Sequence, residues 1–420
     1  MIHIGFERDI CTLSYSILAT NKLIMYKKHL YLVMILTPLL FSCSGKEAGE
    51  NADAAQPELI EPIYQISFNE SKTFGSTDEH LFAMRGYISS ISDKRDYVYI
   101  PDLSNVIHVF DETGRHIAEM GRRGRGPGEF NIMSALQITP DHLYVYESTS
   151  RRVITYSLSD FTPANTVILS NDSWKDLETV KNGFPGRHFH VTDEGRILIH
   201  INTFDGKNLN LETVEEEDLN RDNTIQFFWL NSNGQIISDK VFEQKRMRLF
   251  IKEQWGSKVL ASFEFFGKPI HAVSPDGMIA AAQSTEFKIT IYNPEGRVHK
   301  IIDLPFKKAP LKRETLIEDY ANDFEVNQKA VREMDLPATY PALEKMIFDE
   351  KNQLWVAAIV DDLSVYEWFI FNLEGDLMAQ FTWDRDKRIR DLNGGFMYAL
   401  QKNEIGEWII VRYEIELTEH

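Results

Sequence analysis

Three histidines raise the question of chemistry. His188 and His190 are two residues apart, so on a strand both side chains leave the same face. His271 opens another apolar run, and His200 follows the first pair closely. Imidazoles converging from two strands are ligands for a divalent transition metal. No carboxylate is set beside them by spacing, and a same-face pair serves equally as a solvated wall. The chain carries no G-x-S-x-G elbow, H-E-x-x-H pair or phosphate-binding Walker loop. No catalytic residue is therefore assigned and no resident cofactor is expected, a metal on His188, His190 and His271 being the alternative.

Two other groups carry charge in a suggestive setting. "GRRGRGPGEF", Gly121–Phe130, holds Arg122, Arg123 and Arg125 among four glycines and a proline. Such arginines can pair with an anionic ligand, or simply be solvated or salt-bridged. Farther along, Glu243–Gly267 combines Arg246 and Arg248 with Trp255, Phe263 and Phe265. Aromatic and guanidinium side chains are the favoured anchors of a partner-protein or glycan surface. The same aromatics would equally serve to pack the loop onto its scaffold.

Net charge excludes one partner class. The chain holds 45 basic and 63 acidic residues, a formal net of −18. Without residues 1–42, which contain four basic and two acidic side chains, the balance is 41 against 61, a net of −20. Such a chain repels nucleic acid.

The elements that position these residues are strands. One pattern recurs: a short apolar strand, a turn with Asp or Gly, a strand ending in an aromatic, a tight turn, and an outgoing strand. It runs over Tyr87–Met120, Ala135–Leu169, Arg187–Asn202 with Ile225–Phe242, Ile270–Leu304, Glu344–Trp383 and Phe396–Leu417. Turns such as Pro275–Gly277, Asn293–Gly296 and Asn372–Gly375 separate the apolar runs, as hairpins require. Six four-stranded antiparallel units predict an all-β, six-bladed β-propeller. The sixth unit stops one strand short, and Pro62–Phe68 is expected to close it and hide an open edge.

In this fold Gly121–Phe130 joins the outgoing strand of one blade to the inner strand of the next. Joints of the same kind are expected at Asn182–Phe189, Phe265–Ala272 and Asp391–Tyr398. His188, His190 and His271 fall on inner strands, which line the central channel. Three stretches exceed the repeat: Phe204–Asn223, Glu243–Gly267 and Pro310–Pro337, the last with helical spacing at Leu316, Tyr320, Phe324 and Val331. Long loops on a rigid scaffold are where function concentrates. The second and third flank one blade and are expected to cover one channel mouth together, with the ring still folding if either is cut short.

The N-terminus predicts export. Lys27 and Lys28 precede an apolar stretch, Leu30–Leu40, too short to span a bilayer. Met25, directly before this charged region, is the expected true start. "LFSC", Leu40–Cys43, resembles a bacterial lipobox, which implies a lipid on Cys43. Ser44 in place of an aspartate then favours the outer membrane. The reading is a lipoprotein signal peptide over 1–42, a flexible acidic tether over 43–61 and the propeller over 62–417.

"VFDETGRHIAEMGRRGRGPGEF", Val109–Phe130, resembles the NHL-type repeat, and the chain is similar to NHL-like six-bladed propeller lipoproteins of Gram-negative bacteria. The resemblance is specific over Asp93–Thr139 and is a hairpin pattern over Asp141–Leu417. It implies a lipid-anchored, non-enzymatic binding module that faces periplasm or cell surface and holds an outer-membrane or surface protein, or a glycan. The alternative is a metal-dependent lyase or hydrolase, since NHL-like lyases place a metal on channel histidines.

Overall fold

The computed structural model describes residues 61–75, 84, 91–180, 183–203 and 210–419. The signal, the lipobox with Cys43 and most of the tether lie outside the described residues.

Six four-stranded antiparallel sheets follow one another along the chain. The first is β2 (Ile91–Ser92), β3 (Val98–Pro101), β4 (Ile107–Phe110) and β5 (His116–Met120). The second is β6 (Ala135–Ile138), β7 (His142–Glu147), β8 (Arg152–Ser157) and β9 (Pro163–Ile168). The third is β10 (Phe184–Val191), β11 (Ile197–Asn202), β12 (Thr224–Leu230) and β13 (Phe242–Lys245). After a two-stranded hairpin, β14 (Phe250–Gln254) and β15 (Ser257–Ala261), comes the fourth: β16 (Pro269–Val273), β17 (Ile279–Gln283), β18 (Lys288–Tyr292) and β19 (Val298–Asp303). The fifth is β20 (Leu343–Phe348), β21 (Leu354–Ile359), β22 (Val365–Phe371) and β23 (Leu377–Asp384). The sixth is β24 (Arg388–Asn393), β25 (Phe396–Lys402) and β26 (Trp408–Glu419), completed by β1 (Tyr64–Phe74) as its outer strand.

The core explains why the middle strands read as unbroken apolar runs. Every residue of β21 is buried. Leu354, Val356 and Ala358 pack toward the fourth sheet, while Trp355 and Ala357 pack toward the sixth. Alternate residues of one strand thus serve two different seams, the period-two rule with both faces dry. Each seam between neighbouring sheets has its own cluster, from Tyr99 and Leu143 between the first and second to Phe74 and Tyr398 between the sixth and first. The sheets therefore close into a ring, and they are the blades of a propeller.

The recurrent D/N-x-x-G motif has a local cause. The carboxylate Oδ1 of Asp111 accepts from the N–H groups of Thr113 and Arg115, both at 3.0 Å. Asn231, Asn293 and Asn372 do the same work in the third, fourth and fifth blades. Three residues on, Gly114, Gly234, Gly296 and Gly375 take φ values of 85°, 75°, 79° and 86°, a left-handed region that excludes most side chains.

Two expectations about boundaries are corrected. Asp391–Tyr398 is not a joint between blades. Gly394 and Gly395 form the two-residue turn between β24 and β25, with Asn393 opposite Phe396. The sixth blade thus begins at Arg388, not Phe396. Asn182–Phe189 is likewise mostly strand, β10.

Gly121–Phe130 is a joint, and its glycines are required. Gly121 has φ 76°, and a Cβ there would run into the Phe130 ring. Phe130 is fully buried in the seam between the first two blades, and Tyr156 donates its hydroxyl to Gly128 O at 2.7 Å. Gly121→Ala is expected to destabilise by about 2–3 kcal/mol, from left-handed strain and overpacking together. Chemical denaturation measures this; an unchanged midpoint would show that the ring can shift at no cost.

Candidate functional site

The loops fall at two ends of the ring. Strand direction alternates, so connections from second to third strands, and joints from one blade to the next, emerge at one end. All three insertions use those positions. Residues 203–223 link β11 to β12, residues 246–268 link β13 to β16, and residues 304–342 link β19 to β20.

They do not stand as separate loops. Phe250, Ala261, Phe263 and Phe265 of the second insertion share one buried cluster with Leu316, Tyr320, Ala330 and Val331 of the third. Leu219, on α1 (Glu216–Arg221) of the first, packs with Leu249 and Leu260 of the second. The helical pattern of the third resolves into two short helices, α2 (Arg313–Asp319) and α3 (Glu325–Glu333). Leu316, Tyr320 and Val331 are buried as spaced, whereas Phe324 stands 62% exposed at the start of α3, because the chain turns between the helices. The result is one small subdomain. Cutting either insertion short would bare the apolar face of the other.

The residues expected on this surface divide. Phe263 and Phe265 are 1% and 6% exposed, held against Tyr320 and Phe250, so they are core and not contact. Arg246 is half-buried and donates to Asn223 Oδ1 at 3.3 Å, with burial lowering its pKa. Arg248 is exposed, its guanidinium 4.9 Å from the Phe250 ring centre. Trp255 is 86% exposed.

Trp255 occupies an unusual position. Gln254 pairs with Ser257, so Trp255 and Gly256 are the two central residues of the β14–β15 hairpin. Their φ angles are 52° and 76°, the pattern of a type I′ turn, in which Asn and Gly are preferred. A tryptophan in left-handed backbone costs about 1–2 kcal/mol. Beside the hairpin lies a groove of ≈ 340 Å³ lined by Ile251, Lys252, Glu253, Val326, Lys329 and Met334 among others.

The channel brings two of the expected ligands together. His190 on β10 and His271 on β16 stack edge to face at 5.5 Å. His271 also lies 4.8 Å from the Phe227 ring, part of the aromatic packing between the third and fourth blades. His188 belongs to β10, and its side chain lies outside the described residues. His200 is buried on the second strand against Phe227. Other inner-strand polar groups bond across seams. Asp391 Oδ2 accepts from the N–H and hydroxyl of Ser92, both at 2.6 Å, and burial raises its pKa despite these bonds. Lys345 donates to Ile389 O at 2.6 Å.

Of the three joint arginines, Arg122 pairs with Glu129 at 2.7 Å, and Glu129 also accepts from the Gly126 N–H, so both hold the joint's own shape. Arg123 and Arg125 are exposed. Two groups escaped sequence reasoning: Lys268 between Glu264 and Glu344, and the cluster His108, His116 and Glu119 on the first blade.

A family model described as a 6-bladed beta-propeller (DUF5128) matches residues 76–182. No curated protein matches the sequence. Solved structures with a similar fold include a protein from Bacteroides fragilis described as exported, at 12% identity over 84% of this chain and 96% of that one, TM-score 0.45. A member of the duf4221 family from Bacteroides vulgatus is 9% identical over 85% and 99%, TM-score 0.47. The PQQ-bound aldose sugar dehydrogenase of Streptomyces coelicolor is 12% identical over 85% and 100%, TM-score 0.42. The chain is an all-β, six-bladed propeller of four-stranded antiparallel blades.

Proposed function

We propose that this protein is an exported, non-enzymatic binding module. Cys43 carries a lipid that anchors it to the outer membrane, and the insertion subdomain holds a partner protein or a glycan. The observation that carries the reading is Trp255: a large apolar side chain held largely in solvent, on a turn whose backbone disfavours it. Strain held in a position with no packing return points to use in recognition. Exposed Arg248 and the groove beside β14 extend the same surface.

Trp255→Asn separates folding from binding. Asparagine suits the turn, so the variant is expected to unfold at equal or higher denaturant than the parent, by up to about 1 kcal/mol. Capture of membrane proteins or of array glycans should drop at least ten-fold. A variant that keeps every ligand of the parent removes this surface from the reading. For the anchor, Cys43→Ser should leave the membrane fraction and appear soluble; unchanged membrane association counts against the lipid.

The meeting of His190 and His271 favours a second reading, a metal-dependent lyase or hydrolase on the channel. It requires that purified protein lose bound metal when His271 becomes Ala.

A further inference from the structure

We propose an unassigned metal site on the outer half of the first blade, formed by His108, His116 and Glu119. It would take a divalent transition ion of the Zn²⁺ class. Their ligand atoms all lie within 4.8 Å of one another. His108 Nδ1 is 3.1 Å from His116 Nε2 and 3.6 Å from Glu119 Oε1. Two imidazole nitrogens bound to a tetrahedral Zn²⁺ stand about 3.3 Å apart, so the ion fits with small side-chain movement.

The backbone makes this arrangement. His108 on β4 sits directly opposite Glu119 on β5. His116 and Glu119 are three residues apart, which on a regular strand sends them to opposite faces. The register shifts between Val109 and Phe110, so Phe110 faces His116 and Ile117 is the extra residue. That bulge restores His116 to the face of Glu119 and His108, the re-aiming that bulges perform.

The same shift recurs in other blades and supplies an internal comparison. The register positions of His108, His116 and Glu119 hold Ile154, Pro163 and Thr166 in the second blade. They hold Thr290, Val298 and Ile301 in the fourth, and Phe369, Leu377 and Gln380 in the fifth. The repeat does not demand ligands there. Only the first of these four blades places three of them on one face.

Asp102 completes the design as a positioning residue. Its Oδ2 lies 3.3 Å from His108 Nε2. Its Oδ1 accepts from the N–H groups of Ser104 and Val106 at 2.9 and 2.8 Å, which hold the carboxylate still. A carboxylate can only accept, so the His108 proton resides on Nε2, and Nδ1 presents its lone pair toward His116 and Glu119. This is the carboxylate–histidine–metal relation. Three protein ligands leave one coordination position for water.

The test uses the whole chain, stripped with chelator and titrated with Co²⁺ under visible absorption, then competed with Zn²⁺. The parent is expected to bind one ion with the strong bands of a tetrahedral site. His116→Ala should lose those bands, and Glu119→Gln should bind about 10–100-fold more weakly; both change partly exposed side chains, and melting in chelator checks that each is folded. Asp102→Asn keeps the Oδ1 acceptor but offers an N–H to His108 Nε2. The proton then moves to Nδ1, so affinity should fall at least ten-fold while melting in chelator changes far less. His299→Ala, which changes an exposed histidine on β19, should bind as the parent does. Absence of any tetrahedral Co²⁺ signal in the parent would leave a plain His108–His116 hydrogen bond and overturn the site. So would a signal that survives His116→Ala and vanishes in His271→Ala, which would instead place the metal in the channel.

Discussion

Deleting Tyr64–Phe74 is expected to abolish the single cooperative unfolding transition. β1 pairs with β26 from Tyr64 opposite Glu419 to Phe74 opposite Ile410, so its loss bares the backbone edge of a 12-residue strand. It also serves two seams. Phe68 lies 4.8 Å from Phe381 and 5.2 Å from Trp383, at the junction of the fifth and sixth blades. Phe74 is 1% exposed, between Phe110 of the first blade and Tyr398 of the sixth. Just before the strand, the Ile63 N–H donates to Leu377 O of the fifth blade at 3.1 Å. Removing β1 therefore opens the ring at the point where its first and last blades meet. Phe74→Ala is the milder probe and should cost about 3–5 kcal/mol, as for other fully buried aromatics. Circular dichroism melts of both variants measure the effect. If the deletion melts as sharply and as high as the parent, ring closure does not depend on this strand.

That strand was legible because the sixth repeat ended short and an alternating segment preceded the first. The blades themselves were legible for a similar reason: the outer hairpins of the first, third, fourth and fifth repeat a cap and a glycine, a signal held within five residues. The start of the sixth blade was missed because Gly394-Gly395 reads as a joint when only composition is considered. The two glycines are instead a hairpin turn, and what distinguishes the two is the pairing of Asn393 with Phe396. Phe263 and Phe265 were assigned to a surface because their partners, Leu316 and Tyr320, lie some fifty residues away, and helical spacing does not say which strand a helix covers. Trp255 shares their composition and differs only by a turn. His108, His116 and Glu119 were invisible for a geometric reason: the alternation that finds same-face residues in a strand fails across a bulge.

Lys268→Met is expected to cost about 3 kcal/mol at pH 7, the low end for stranding buried charge, since the partners are not wholly dry. The Lys268 side chain is 15% exposed, with Glu264 at 2.9 Å and Glu344 at 3.0 Å. Burial opposes ionisation of Lys268 and Glu344, yet the paired charges prevail. The Lys268 ammonium is held above its usual pKa by Glu344 and Glu264, and the Glu344 carboxyl below its own by Lys268, with Arg385 and Lys345 assisting. The sign of the pH dependence follows. A depressed carboxyl stabilises the fold above its unfolded pKa of about 4.3 and loses that contribution as pH falls through the folded value. The raised ammonium stabilises below its unfolded pKa of about 10.4 and loses its contribution as pH rises through the folded one. The gap between parent and variant should therefore be widest at neutral pH and shrink below about pH 4, where neutral carboxyls no longer need the cation. Adding Glu344→Gln should restore much of the loss at pH 7, because one of the two stranded charges is gone. The position matters beyond stability. Glu264 belongs to the insertion subdomain and Glu344 to the inner strand of the fifth blade, so Lys268 fixes the subdomain that bears Trp255 to the ring. Urea denaturation at pH 7 and about pH 3 decides the matter. Equal stability of parent and Lys268→Met at pH 7 would mean that the apolar cluster alone holds the subdomain in place.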